Sequence, residues 1–191
     1  QYATVDHITT ISTVAGPMLT LNIAESVMRF GLDKDADKGK NTQCGSIVLL
    51  IAMIIGLVLI PICRCITEVS DYAMYVYFYV ISLSASQLFL CDLRGKELLL
   101  KYSLGNILQT LMIAILNITF LLVFKMETGG YLLAYIIANF IVAIYAIIAG
   151  KGYKAFSFHN IDRCKLKEMI RYSVALIPNT FMWWIMNSSD R

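Results

Sequence analysis

Six stretches of the chain carry no charged side chain: 8–24, 44–63, 72–91, 102–124, 128–150 and 172–189. They run 17, 20, 20, 23, 23 and 18 residues. A hydrocarbon core about 30 Å thick is crossed by roughly 20 helical residues, so each stretch spans or nearly spans a bilayer. Burying them in a soluble protein would demand six long helices with no polar face. The pattern therefore predicts an all-α fold, a polytopic transmembrane bundle of about six helices. Between the runs lie turn and loop signals. Gly16-Pro17 inside the first run removes a backbone donor and predicts a kink. The segment DKDADKGK (33–40) alternates in sign and predicts a solvated loop, Pro61 suits a helix end, and Gly129-Gly130 suit a tight turn. Asp162 is placed to cap a short helix on which Leu166, Met169 and Ile170 share a face.

Composition agrees with this reading, at 58% hydrophobic and 15% charged residues, against about 45–50% and about 25% in soluble domains. The net charge of +3 is modest, but its placement is informative. Successive connections between the runs carry 4, 1, 3, 1 and 6 Lys or Arg residues. Thirteen thus fall on one side and two on the other, and an excess of basic residues marks the cytoplasmic side. The same alternation accounts for the basic stretch 151–171 without a nucleic-acid partner. That stretch has the character of an amphipathic cytoplasmic linker beside anionic headgroups. The chain begins at Gln1, close to the first run and without a signal-peptide pattern, and is expected to be a piece of a longer protein. Cys44, Cys63, Cys65, Cys91 and Cys164 match no zinc spacing and no disulfide framework. His7 and His159 lie far apart and no D-x-D motif occurs. No cofactor, metal or catalytic centre is expected.

Polar residues within the runs recur at helical spacing. The first run offers Asp6, Thr10, Thr13 and Thr20 in line, the third Tyr72, Tyr75, Tyr79, Ser82 and Ser86. The fifth offers Tyr131, Tyr135 and Asn139, the sixth Ser173, Thr180, Trp184, Asn187 and Arg191, with Asn179 beside Thr180. Such stripes either glue helices together or converge on a hydrophilic cavity. For a cavity the candidate lining residues are Tyr79, Ser82, Ser86, Asn179, Thr180, Trp184, Asn187 and Arg191. Glu25 and Arg29 stand four apart and can pair, with Asn22 one turn above, either as an interfacial ion pair or as a cytoplasmic gate.

The stretches LTLNIAESVMRFGLDKD (19–35) and RYSVALIPNTFMWWIMNSSDR (171–191) resemble two segments of bacterial polysaccharide exporters. These are the lipid-linked-oligosaccharide flippases of the multidrug/oligosaccharidyl-lipid/polysaccharide superfamily. The resemblance implies that the chain covers helices two to seven of a protein with about twelve or more, arranged as two six-helix bundles. Residues 1–150 would then be the remainder of the N-terminal bundle (helices two to six), 151–171 the cytoplasmic amphipathic linker and 172–191 the start of the C-terminal bundle (part of helix seven). It implies a multi-pass protein of the bacterial cytoplasmic membrane that moves undecaprenyl-pyrophosphate-linked oligosaccharide between leaflets, alongside other polysaccharide-assembly proteins and membrane lipids. Arg191 would then attract the pyrophosphate. Two alternatives are a drug/cation antiporter of the same superfamily, which would favour an acidic pocket, and a membrane-embedded glycan-processing enzyme.

Overall fold

The first apolar run does not form one helix. The computed structural model describes residues 2–33, 37–63, 73–123, 128–153 and 162–189, and in it the run is divided between α1 (Tyr2–Leu19) and α2 (Ile23–Gly31). Pro17 sits inside α1, yet the break comes after it. Leu21 N–H donates to the Met18 carbonyl (3.3 Å) and Asn22 N–H to the Pro17 carbonyl (2.7 Å), the paired bonds of a Schellman helix end. That ending needs a left-handed residue, and here Leu21 (φ 51°) supplies it, followed by Asn22 (φ 55°). A left-handed side-chain-bearing residue costs roughly 1–2 kcal/mol, so surrounding contacts must hold the break in place.

The remaining elements are α3 (Lys38–Cys63), α4 (Ala73–Gly95), α5 (Leu99–Ile118, extended by a π turn, Thr119–Val123), α6 (Thr128–Ala149) and α7 (Arg163–Ser189). No strand occurs among the described residues. Within them, four helices are long and apolar enough to cross a membrane: Lys38–Ile60, Ala73–Gly95, Leu99–Leu121 and Gly129–Ala149. The chain is thus an α-helical membrane-type bundle, with seven α-helices among the described residues where about six were expected, because the first is split.

The centre of the bundle is α4, which packs along α6 most extensively and also touches α1, α2, α3 and α5. α5 rests chiefly on α6 and turns Leu100, Leu104, Ile107, Leu111, Ile115 and Ile118 outward. These positions recur every three or four residues, the apolar stripe a helix shows to lipid.

One end of the bundle is tied tightly. α2 and α4 meet at Gly31 and Gly95, so closely that a Cβ on Gly31 would lie 2.9 Å from the Gly95 Cα. Ser26 Oγ donates to the Met169 carbonyl of α7 (3.0 Å), and Asn41 Nδ2 of α3 to the Phe30 carbonyl (2.9 Å). The Phe30 and Tyr172 rings meet edge to face at 5.8 Å. Lys96 Nζ reaches the Gly150 carbonyl and Lys101 Nζ the Ala149 carbonyl, both at 2.9 Å, placing two cations on the negative end of α6. Ile23, Val27, Leu88, Leu93, Val142 and Met169 form the core beneath these ties. The described parts of the first, third and fifth connections, rich in basic residues, therefore gather at a single end, as the charge alternation requires.

α7 alters the expected linker. Asp162 does cap a helix, its Oδ1 accepting from Lys165 N–H (3.2 Å), but that helix runs unbroken past Tyr172 to Ser189 with Pro178 inside it. Leu166, Met169 and Ile170 do share a face, and it packs into the core rather than lying on headgroups, Met169 being fully buried.

Candidate functional site: a cleft beside the broken helix

Where α1 gives way to α2, a small cleft with room for about 30 Å³ of solvent opens against α7. Its walls are largely apolar, from Val14, Pro17 and Met18 on one side and Ile177 and Phe181 on the other. Into it also project Thr13, Asn22, Thr180 and Trp184. An asparagine at a helix N-terminus ordinarily caps the first turn with its side chain. Asn22 precedes α2 but makes no such bond. Its Nδ2 instead crosses to Thr180 Oγ1 at 3.1 Å, while the Thr180 hydroxyl donates back to the Leu176 carbonyl (3.3 Å). One turn further along α7, Trp184 stacks on Phe181 with ring centroids 5.8 Å apart. Its indole N–H is buried and has no acceptor. The cleft thus combines hydrocarbon-like walls, an aromatic face and hydrogen-bonding groups with unused capacity.

The sequence-predicted cavity residues divide between two places. Thr180 and Trp184 line this cleft, and so does Asn22, expected one turn above a gate. Asn179 is exposed on α7 and is not among the lining residues. Tyr79, Ser82 and Ser86 lie instead in the closed seam between α4 and α6, all buried. There Tyr79 meets Tyr135 edge to face at 5.8 Å, and Tyr131 and Tyr135 join hydroxyl to hydroxyl at 2.9 Å. Ser82 Oγ bonds the Tyr79 carbonyl at 3.0 Å. Asn139 Oδ1 accepts from Ser86 Oγ (3.2 Å) and from Gln109 Nε2 of α5 (2.7 Å), while its own Nδ2 is buried without an acceptor. This group ties three helices together, the gluing role polar side chains have in membranes. The α4 and α7 stripes do not converge on one cavity, since the first faces α6 and the second faces α1 and α2. The side chain of Asn187 and the whole of Arg191 lie outside the described residues.

At the base, Arg29 pairs with Asp33 (2.8 Å) and not with Glu25, both side chains of the pair being about half exposed. The Asp33 hydrogen bond raises the Arg29 guanidinium further above its ordinary value. Glu25 stands exposed at the start of α2. Both partners lie four residues from Arg29, and helix geometry alone does not choose between them.

A more deeply placed ionic group escaped the sequence reading. Asp92, 4% exposed, closes a clasp between three helices. Its Oδ1 accepts from Thr42 Oγ1 of α3 (2.5 Å) and its Oδ2 from Lys96 Nζ (2.6 Å), the ammonium that also holds the Gly150 carbonyl of α6. The available signal was the Asp-x-x-x-Lys spacing at a run's end. Among the described residues no three His, Cys, Asp or Glu side chains are grouped to hold a metal, and Cys44, Cys91 and Cys164 are free thiols.

The chain matches no protein-family model, and no curated protein or solved structure shows significant similarity to it.

Proposed function

We propose that this chain belongs to a transporter that flips undecaprenyl-pyrophosphate-linked oligosaccharide across the bacterial cytoplasmic membrane for surface-polysaccharide assembly. The observation that carries this reading is the interrupted helix at 20–22, lying across a part-polar cleft from α7. Transporters commonly place substrate groups at helix interruptions, where irregular backbone borders a cavity instead of lipid. The two segments that meet there are the two that resemble polysaccharide exporters. Sugar hydroxyls cannot enter hydrocarbon without hydrogen-bond partners, and Asn22, Thr180 and the free Trp184 N–H offer them beside an aromatic face. Arg191, two residues beyond α7 in the sequence, is the cation proposed to draw the pyrophosphate.

The test is a leaflet-exchange assay on the full-length protein in liposomes carrying a fluorescent lipid-linked oligosaccharide. Trp184→Ala at equal incorporation should slow exchange at least about tenfold, a loss of roughly 1.4 kcal/mol of stabilisation. Unchanged exchange removes Trp184 from the path. Proton- or sodium-driven efflux of a cationic dye, with no oligosaccharide movement, replaces the reading with an antiporter.

A further inference from the structure

The face of α7 turned toward α1 and α2 carries Met169, Ser173, Ile177, Thr180 and Trp184 at steps of three or four residues. Two of its polar groups are buried and unpartnered. Ser173 is fully buried with no partner for Oγ, and Trp184 has none for its indole N–H. They flank the Asn22–Thr180 bond, Ser173 about 10 Å below it along the helix and Trp184 about 6 Å above. Beneath Ser173 the seam is closed by the Ser26–Met169 bond. The open cleft borders the Asn22–Thr180 bond, with Ile177 as its floor toward Ser173 and Trp184 on the far side. In a membrane, hydrogen-bonding groups left without partners are costly, and here they line up along one seam, interrupted by a single side-chain bond. That bond is made by the one residue that abandons its helix-capping position to make it, next to the two left-handed residues where α1 and α2 separate.

We propose that the Asn22–Thr180 hydrogen bond is a gate. It separates the cleft around Trp184 from a closed lower site around Ser173, and α1 swings about Leu21–Asn22 to open it. The ligand groups admitted are hydroxyl or phosphate oxygens, which accept from the indole N–H and exchange hydrogen bonds with the serine hydroxyl. This rests on the transport reading for its cargo, while the gate itself is a property of these residues.

The experiment uses the full-length protein in liposomes carrying Ser173→Cys, treated with a charged, water-soluble thiol reagent. Peptide mass mapping reads position 173 separately from the native cysteines. With the gate intact, the thiol at position 173 should be slow to react. Adding Asn22→Ala, or the isosteric Thr180→Val that removes the acceptor, should speed labelling at 173 at least tenfold. The Thr180 variant carries the test should the Asn22 variant not fold. A third protein, with Asn22→Cys and Thr180→Cys joined by a short bifunctional thiol reagent, should lose oligosaccharide exchange and label at 173 slowly. An unchanged labelling rate in well-folded Thr180→Val overturns the gate. Faster labelling in a protein that exchanges no oligosaccharide under any condition upholds the gate and overturns the cargo.

Discussion

Gly31→Ala tests the closest helix contact in the bundle. The added methyl would stand 2.9 Å from the Gly95 Cα, 3.1 Å from its carbonyl carbon and 3.2 Å from its oxygen. All three atoms are backbone and cannot rotate aside. Ordinary contact begins near 3.4 Å, so α2 and α4 must part by about 0.5 Å, disturbing a core packed to crystal-like density. Such overpacking costs about 1–3 kcal/mol. Alanine returns up to about 1 kcal/mol through helix propensity in a helix interior, but Gly31 is the last residue of α2 and recovers less. The net loss expected is about 1–2 kcal/mol, which for a chain of this length lowers the melting temperature by about 2–8 °C. Thermal unfolding of purified protein in one detergent measures it. Gly129→Ala is the control, since a methyl there meets nothing within 4 Å and should leave the melting temperature unchanged or slightly higher. Gly95→Ala crowds the same crossing from the other side, its methyl 3.2 Å from the Gly31 Cα and from the Met28 and Val27 carbonyl oxygens, so the double variant should lose less than the two singles together. If Gly31→Ala and Gly129→Ala melt alike, the close approach does not hold the base.

Two further perturbations address the charged groups of the same end. Asp92→Asn deprives a mostly buried ammonium of its carboxylate, and breaking such a pair costs about 3–5 kcal/mol. The protein should unfold far earlier on heating, and Asp92→Asn with Lys96→Met should recover part of the loss, whereas native-like melting of the single variant would show the clasp to be dispensable. Asp37 lies before α3, where the Lys40 backbone N–H donates to its Oδ1 (3.3 Å) and holds its carboxyl below the ordinary carboxylate value. Because the folded value is depressed, this contribution is present above the ordinary carboxylate range and lost as pH falls through the folded value. Melting temperature followed from about pH 6 to about pH 3 should decline less steeply in Asp37→Asn than in the native chain.

Helical class, the uncharged runs and the gathering of basic connections at one end all follow from charge and hydropathy, because the membrane imposes these patterns on local sequence. The Asp162 cap was equally local. The break at 20–22 was not legible. Gly16-Pro17 pointed to a kink, but the helix ends beyond it on Leu21, a residue with no preference for the left-handed conformation it adopts. Likewise the stripe spacing fixes which residues share a face of one helix, but not which helix that face meets. Ser86 and Thr180 therefore looked alike in sequence, although one is sealed against Asn139 and the other borders a cleft. Asp92 looked like the end of a run, and only the approach of Thr42 and Gly150 from two other helices makes it a clasp.

The way α7 is fastened gives it a mechanical character. Ser26 and the Phe30 ring grip it near Met169 and Tyr172, and higher up Thr180 is bonded to Asn22. From Met169 to Met186 the helix rises about 26 Å, most of it beyond that grip. It is a lever with its fulcrum at the base, and a tilt of about 10° there moves the far end by roughly 4–5 Å, so the tightly packed glycine crossing and serine bond at the base are what would convert a small rotation into a wide opening at the other side.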